Sequence, residues 1–478
     1  MGKTGRYADE PLLLPIDIDP EPIEERLTGW GGAALLIQAI RSFDVPGSTQ
    51  RNVQLKQRQR GYSEAEYVES LIVLHALGGD CVDDLERLRE DPGLSELLGY
   101  EVPSPEAARK FLNQFHEDRL VSEAQQHALT LGEASWIPGE NAALAGLAQV
   151  NRDAIGILGR RCVEQKIATV DLDSTIIESW KREAQRSYEG STGYQPMLAL
   201  WAEMDVVLAD EFRDGNVPAI REPLRVARQA FAALPPTVKE LYFRGDSACY
   251  EHELLTWLRD EKREGGLQGF IGFAVSAPMR AALAEEMQQT PEQHWKLYSE
   301  DAGARKEYAV INYYPEEAAV NRYREPLRYI GIRVRRKQRE MFEGGRDVLH
   351  FAVATNLWDW DPKRLLEWHR EKAGSIEALH DVLKNELGAG VLPSKRFGAD
   401  AAWLRLAVIT HNVLTGLKRL ALPPELLKAR PKRLRFLIFT TPGRLVEHAR
   451  RTMLRILRSW NRFTNWLPAI RALPAPTF

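Results

Sequence analysis

The chain has 478 residues, 44% of them hydrophobic and 27% charged, with a formal net charge of −3. That length allows about three units of ~150 residues, and the balance is that of a globular protein rather than a disordered or fibrous one. No apolar run nears the ~20 residues of a bilayer span, the polar, acidic start lacks the plan of a secretory signal, and Cys81, Cys162 and Cys249 are too few and scattered for a disulfide framework or a zinc cluster, which points to a reducing interior.

Helical spacing dominates the first third. SEAEYVESLIVLHALGG predicts a helix with Ser63 as N-cap and Gly78–Gly79 as its stop. A short helix follows over Asp83–Arg89 and ends near Asp91–Pro92. Another starts at Ser104 with Pro105 in its first position and runs through Phe115. Leu120 to Arg160 is helical, broken near Ile137–Pro138–Gly139.

At Lys166 the period changes from helical to alternating. IATVDLD is a strand; MLALWA and VVLADEFR flank a tight turn as a hairpin. A helix over Pro223–Leu234, a strand LYFRGD, a helix from Tyr250 to Lys262 and a strand GFIGFAV complete a run of three strands, helix, strand, helix, strand. This is the order of an RNase H-like sheet, so the fold class is α/β with such a core. About 70 residues then leave the pattern, with a helix over Pro278–Gln288 and the strand-like EYAVINYY and LRYIGIRV; they form an inserted, β-containing subdomain. The strand LHFAVATN returns to the core, followed by a helix from Ser375 to Leu387 stopped at Gly388, a second apolar helix, and a tail opened by Pro423–Pro424. The expected units are a helical DNA-binding domain at 1–160, core segments at 161–276 and 348–421 around an insert at 277–347, and a basic helical tail at 422–478.

Charge is segregated. Residues 8–26 are acidic, whereas Arg328–Arg339, which includes Arg335 and Arg336, and Lys428–Arg462 are basic. Such runs are usually solvated faces, and taken alone these read first as ordinary surface; they are also compatible with local phosphate contacts on a near-neutral chain.

Three acidic positions stand out by placement. Asp171 and Asp173 lie two apart on a strand and so share a face. Two carboxylates there repel unless something positive is held between them, and Mg2+, a hard cation, suits oxygen ligands. Asp246 falls where an apolar strand ends and a helix begins, the usual edge for ligands in open sheets, although a plain N-cap has the same signature. Glu377 lies on a late helix with Lys384 seven residues on, nearly two turns and thus on one face. With Ser375 as N-cap, Glu377 stands in the first turn, where the helix dipole favours a carboxylate. Glu367, Glu371 and Glu386 are its rivals. Carboxylates from adjacent strands and a later helix can hold two metal ions ~4 Å apart, an arrangement suited to phosphodiester chemistry.

The blocks GGDCVDDLERLREDPGLSELLG, DLDST, FRDGN, YFRGDSACY, VATNL and PGRLVEHARRTMLRI occur in order along the chain. In these it resembles bacterial insertion-sequence DDE transposases, group thirteen-eighty of the IS-four-like set, over nearly its whole length. The resemblance implies Asp173, Asp246 and Glu377 as catalytic metal ligands, with Asp171 a further candidate, two Mg2+ ions (Mn2+ as the alternative) and duplex DNA at the element's inverted repeats as substrate. It also implies target DNA as second substrate, a dimer in the DNA complex, and a bacterial cytoplasmic location at the nucleoid with no membrane partner. The family's Tyr-(2)-Arg-(3)-Glu-(6)-Lys signature is met only by Glu377 and Lys384. Trp368 or His369 occupies the tyrosine region, and Arg370 and Lys372 compete for the arginine role with spacing off by one. Lys384, Arg370 and Lys372 then become DNA contacts, and Trp295, in the insert, either stacks on a flipped base or simply packs. A metal-dependent nuclease without strand transfer, and an inactive DNA-binding descendant, remain as alternatives. Trp201, Trp257 and Trp403 are expected in the core, and His411–Asn412 as a hydrogen-bonded helix pair.

Overall fold

Local capping chemistry starts four helices of the first third in this computed structural model, which describes residues 26–476 apart from 57–59, 182, 188, 264–267, 316–325, 337–347 and 458–462. The acidic residues 8–25, and the basic stretch beyond Arg336, lie outside the described residues. A two-residue strand β1 (Leu27–Thr28) precedes α1 (Ala33–Ser42) and α2 (Val45–Asn52). In α3 (Glu64–Leu77), Ser63 accepts from the Glu66 amide while Glu66 reaches back to the Ser63 amide, and Gly78 stops the helix at φ 96°. The short α4 (Leu85–Arg89) leads into α5 (Pro92–Leu98), which Asp91 caps, and Ser104 caps α6 (Pro105–Asn113). Next come α7 (Asp118–Leu131) and α8 (Ala142–Arg161), separated by the expected Pro-Gly break.

Alternation then builds a nine-stranded sheet. Its first strand, β2 (Ile167–Ser174), is followed by a small side sheet of β3 (Ile177–Glu178), β4 (Gln185–Arg186) and β5 (Thr192–Tyr194). The hairpin β6 (Met197–Trp201) and β7 (Val206–Glu211) lies antiparallel beside β2. Helix α9 (Pro223–Ala233) carries the chain over to β8 (Glu240–Gly245), parallel to β2, and α10 (His252–Arg259) to β9 (Ile271–Ala277), parallel to β8.

The stretch expected as a separate insert behaves differently. After α11 (Ala281–Gln289), β10 (Lys296–Glu300), β11 (Ala304–Ile311) and β12 (Arg328–Arg336) extend the same sheet, joined to β9 through β13 (Val348–Thr355). The final order is β10-β11-β12-β13-β9-β8-β2-β6-β7.

Two 25-residue helices, α12 (Pro362–Glu386) and α13 (Phe397–Ala421), follow. The expected start of α12 at Ser375 is corrected: Asp361 is the N-cap and Pro362 the first residue. An Asp cap with Pro at N1 is a strong start signal, and an internal Gly costs only ~1 kcal/mol against Ala, so Gly374 stays inside the helix. Gly388 has φ 70°, and a Cβ there would meet the Gly79 carbonyl and His75 at 3.0 Å.

Helix α13 ties the parts together. Arg405 is buried and bonds Asp210 on β7, Glu140 and the Leu144 carbonyl of α8. Asn412 brackets the Val207 backbone and reaches Asn151, and His411 bonds the Asp205 carbonyl, so the pair is hydrogen-bonded as expected. Trp201, Trp257 and Trp403 are all buried. The helical first third and the sheet therefore share one hydrophobic core. The three cysteines are free, and no described helix is long and apolar enough to cross a membrane.

The tail departs from the helical expectation. The short α14 (Pro431–Leu434) gives way to a hairpin of β14 (Gly443–His448) and β15 (Arg451–Ile456), with β14 paired to β1, before α15 (Trp466–Arg471). The hairpin turns on two residues, Ala449 (φ 50°) and Arg450 (φ 65°). Such a loop needs positive φ at both positions and prefers Asn-Gly. Ala449→Asn/Arg450→Gly is therefore expected to raise stability by roughly 1 kcal/mol, read as a higher urea midpoint at constant m; a lower midpoint would contradict the strained-turn account.

Candidate active site

The site begins as a matter of register. Strands β2 and β8 run parallel with Leu172 opposite Gly245. The next residue on each chain is Asp173 and Asp246, so the two carboxylates stand at one level on neighbours ~4.8 Å apart. One level back, Asp171 is opposite Arg244. Period-two alternation puts all four side chains on the face that α12 covers.

Asp173 and Asp246 are partly exposed at this edge. Asp246 accepts the Ala248 amide at 3.0 Å, the capping geometry of the turn after β8. Burial pushes its carboxyl pKa up, opposed by the Lys372 ammonium and reinforced by the Asp173 charge. Lys372, on α12, is itself buried and lies 3.2 Å from Asp173. The positive group opposite the acidic pair is thus a lysine. His369, one turn earlier on α12, bonds the Gly245 carbonyl at 3.1 Å, and burial lowers its pKa to about 4, so it is neutral at pH 7.

Asp171 has a different role from the ligand anticipated. It is fully buried, and Arg244 binds both its oxygens at 2.6 and 2.9 Å while Ser375 donates to it at 2.5 Å. Arg244 also donates to the Trp368 carbonyl at 2.5 Å and stacks over that indole. With both oxygens engaged, Asp171 serves to lock α12 onto β2 and β8. Arg244 was not singled out from the sequence, although it stands two residues before Asp246 and so had to share its face.

The third carboxylate is less assembled. Glu377 lies in the middle of α12, not in a first turn, and is exposed. Among the described residues it has no hydrogen bond or ion pair, and no three His, Cys, Asp or Glu side chains are grouped closely enough to hold a metal ion. Its flank is nonetheless informative. At ~100° per residue, Glu377 and Lys384 lie within ~20° of each other. Lys384 donates to the Thr175 hydroxyl at 3.0 Å, two residues past Asp173. The rivals Glu371 and Glu386 are engaged, the first with Arg244 and the second with Arg430 and the Lys432 amide.

The expected DNA contacts divide. Arg370 is exposed and lies over the Tyr298 ring; Arg336 is exposed at the end of β12. Arg335 pairs with Glu292 and Glu307. Trp295 is buried under Arg333, whose guanidinium sits 4.4 Å from the ring centre, the packed arrangement of the two anticipated for it.

A mixed sheet with a carboxylate pair at adjacent strand ends, roofed by a cation-bearing helix, defines an α/β enzyme with an acidic site. A family model described as "Transposase DDE domain group 1" matches residues 25–474, and the chain belongs to that family: it is a DDE-type transposase. Comparison with curated proteins gives no match. Among solved structures it is similar to a piggyBac transposase in a synaptic complex with hairpin DNA, at 11% identity and a TM-score of 0.43, over 85% of this chain and 80% of that one.

Proposed function

We propose that this transposase cuts the ends of its element and joins them to target DNA, using Asp173, Asp246 and Glu377 on an RNase H-like core. The observation that carries the reading is the placement of Asp173 and Asp246 at one level on adjacent parallel strands, β2 and β8. The sheet order β7-β6-β2-β8-β9, with β6 antiparallel to β2, supports the core assignment. The donor chemistry fits Mg2+ or Mn2+: two hard oxygen ligands stand at the strand ends, and Glu377, on the exposed flank of α12, would have to swing in to complete the set. When bound, two such ions would supply charge neutralisation at the attacking and leaving oxygens. Asp246 and Asp173 hold the reacting phosphate's level, Lys384 offers a cation to an adjacent phosphate, and neutral His369 fixes α12 to the strand end.

The partners that follow are duplex DNA at inverted repeats, target DNA, and a second copy in the DNA complex, with Arg370 and Arg336 as backbone contacts. Incubating the full chain with Mg2+, end-bearing duplex and a plasmid target tests this. Joined product supports transposition, whereas cut ends alone point to a nuclease without strand transfer. Glu377→Gln is expected to lose cleavage by ~10²-fold or more with binding retained. Normal cleavage by Glu377→Gln beside a dead Glu371→Gln would move the third carboxylate to Glu371.

A further inference from the structure

We propose that the hairpin β14–β15 is a two-stranded ribbon that enters the major groove of duplex DNA, a role that rests on the DNA-transposition reading above. The alternation of the two strands sorts their side chains. Leu445 is buried on the inner face, where Gly443 packs against Leu454 so closely that a Cβ would meet it at 2.6 Å. The outer face carries Arg444, Val446 and His448 on one strand and Arg451, Met453 and Arg455 on the other. All of these but the half-buried Val446 are exposed.

None of the hairpin's own residues puts a carboxylate on this face. Glu447 points the other way and pairs with Arg26. Arg451 and Arg455 stand four residues apart on this face of β15, both exposed, so two guanidiniums line one edge of the ribbon. Arg450, exposed at the tip, adds another guanidinium. Strand β1 pairs with Gly443 and Arg444 at the base of β14; the four residues of each strand beyond it, at ~3.4 Å each, project ~14 Å as two strands, and the major groove, ~12 Å wide, admits two strands.

A second copy is the competing occupant, since the outer edge of β15 has no strand partner among the described residues. A two-fold contact through this face would set arginine against arginine. Duplex DNA meets the same face with phosphates along both rims and guanine edges at the floor, the acceptors that arginine recognises.

The test uses the full chain, EDTA, a 40-bp mixed-sequence duplex (about four helical turns) and fluorescence anisotropy across a salt series. Arg451→Ala/Arg455→Ala is expected to weaken binding about tenfold or more at ~0.1 M salt, and to reduce the slope of log K against log salt by about two, since each phosphate contact contributes ~0.9. Arg451→Lys/Arg455→Lys should restore the slope. Unchanged affinity and slope in the alanine variant, with the wild type binding normally, would overturn the ribbon. Salt-insensitive binding by the wild type would instead remove the DNA reading beneath it. Sedimentation of the same variants supplies the last arm: loss of a dimer with DNA affinity intact assigns the face to a second copy and overturns the proposal. Thermal unfolding of the lysine variant keeps the test valid if the alanine variant fails to fold.

Discussion

Asp246→Asn is expected to abolish strand cleavage, by roughly 10³-fold or more, while duplex binding stays within a few-fold of wild type. The substitution is nearly isosteric. Its amide oxygen can still accept the Ala248 N–H, and Asn is as good a cap as Asp, so the turn after β8 should survive with a stability change under about 1 kcal/mol. What disappears is one of two carboxylate charges at the level where β2 and β8 end, and with it a ligand for the metal ions that would neutralise the reacting phosphate. The Lys372–Asp173 pair, 3.2 Å apart, is retained, so the surface that meets DNA is little altered. A nicking time course beside an anisotropy titration measures both halves. Wild-type nicking by the variant would remove Asp246 from the site, and lost binding would make it a structural cap instead.

Much of the candidate site's geometry was legible in the sequence, for reasons that differ by residue. The placement of Asp173 and Asp246 at neighbouring strand ends could be read because each closes an apolar, alternating run, and strand ends are where open sheets place ligands. The flank shared by Glu377 and Lys384 followed from helical spacing alone. The start of α12 was misplaced because Gly374–Ser375 imitates a boundary, while the Asp361–Pro362 start lies thirteen residues earlier. In the structure Ser375 caps no helix and instead donates to Asp171. The tail's hairpin, against the helix expected there, was open to local pattern, since Arg444, Val446, Arg451, Met453 and Arg455 already show a period of two. The share of the sheet taken by β10–β12 was out of reach of local pattern, since their pairing to β13 is decided by contacts far apart in the chain. So was Lys372: only the three-dimensional approach of α12 to β2 shows that a lysine, and not a carboxylate, faces Asp173.

The Asp171–Arg244 pair leads to the other large effect. Arg244→Met should cost about 3–5 kcal/mol of unfolding free energy, because it leaves the Asp171 carboxylate buried with only the Ser375 hydroxyl for company. Both residues are almost wholly enclosed, so solvent cannot move in to replace the guanidinium. Removing both charges is a different matter. In Asp171→Leu/Arg244→Met no uncompensated charge remains, and apolar replacements of a buried pair are often near neutral, so most of the lost stability should return. The double variant would still lack the bonds that hold Trp368 and Ser375 of α12 against β2 and β8. Its cleavage should therefore stay low while its unfolding midpoint recovers, a separation that a purely structural pair would not produce. Urea unfolding of the two singles and the double gives the coupling energy, and nicking by the folded double variant gives the positioning effect. A loss under 1 kcal/mol for Arg244→Met would show that Asp171 does not depend on Arg244, and would return Asp171 to candidacy as a ligand beside Asp173 and Asp246.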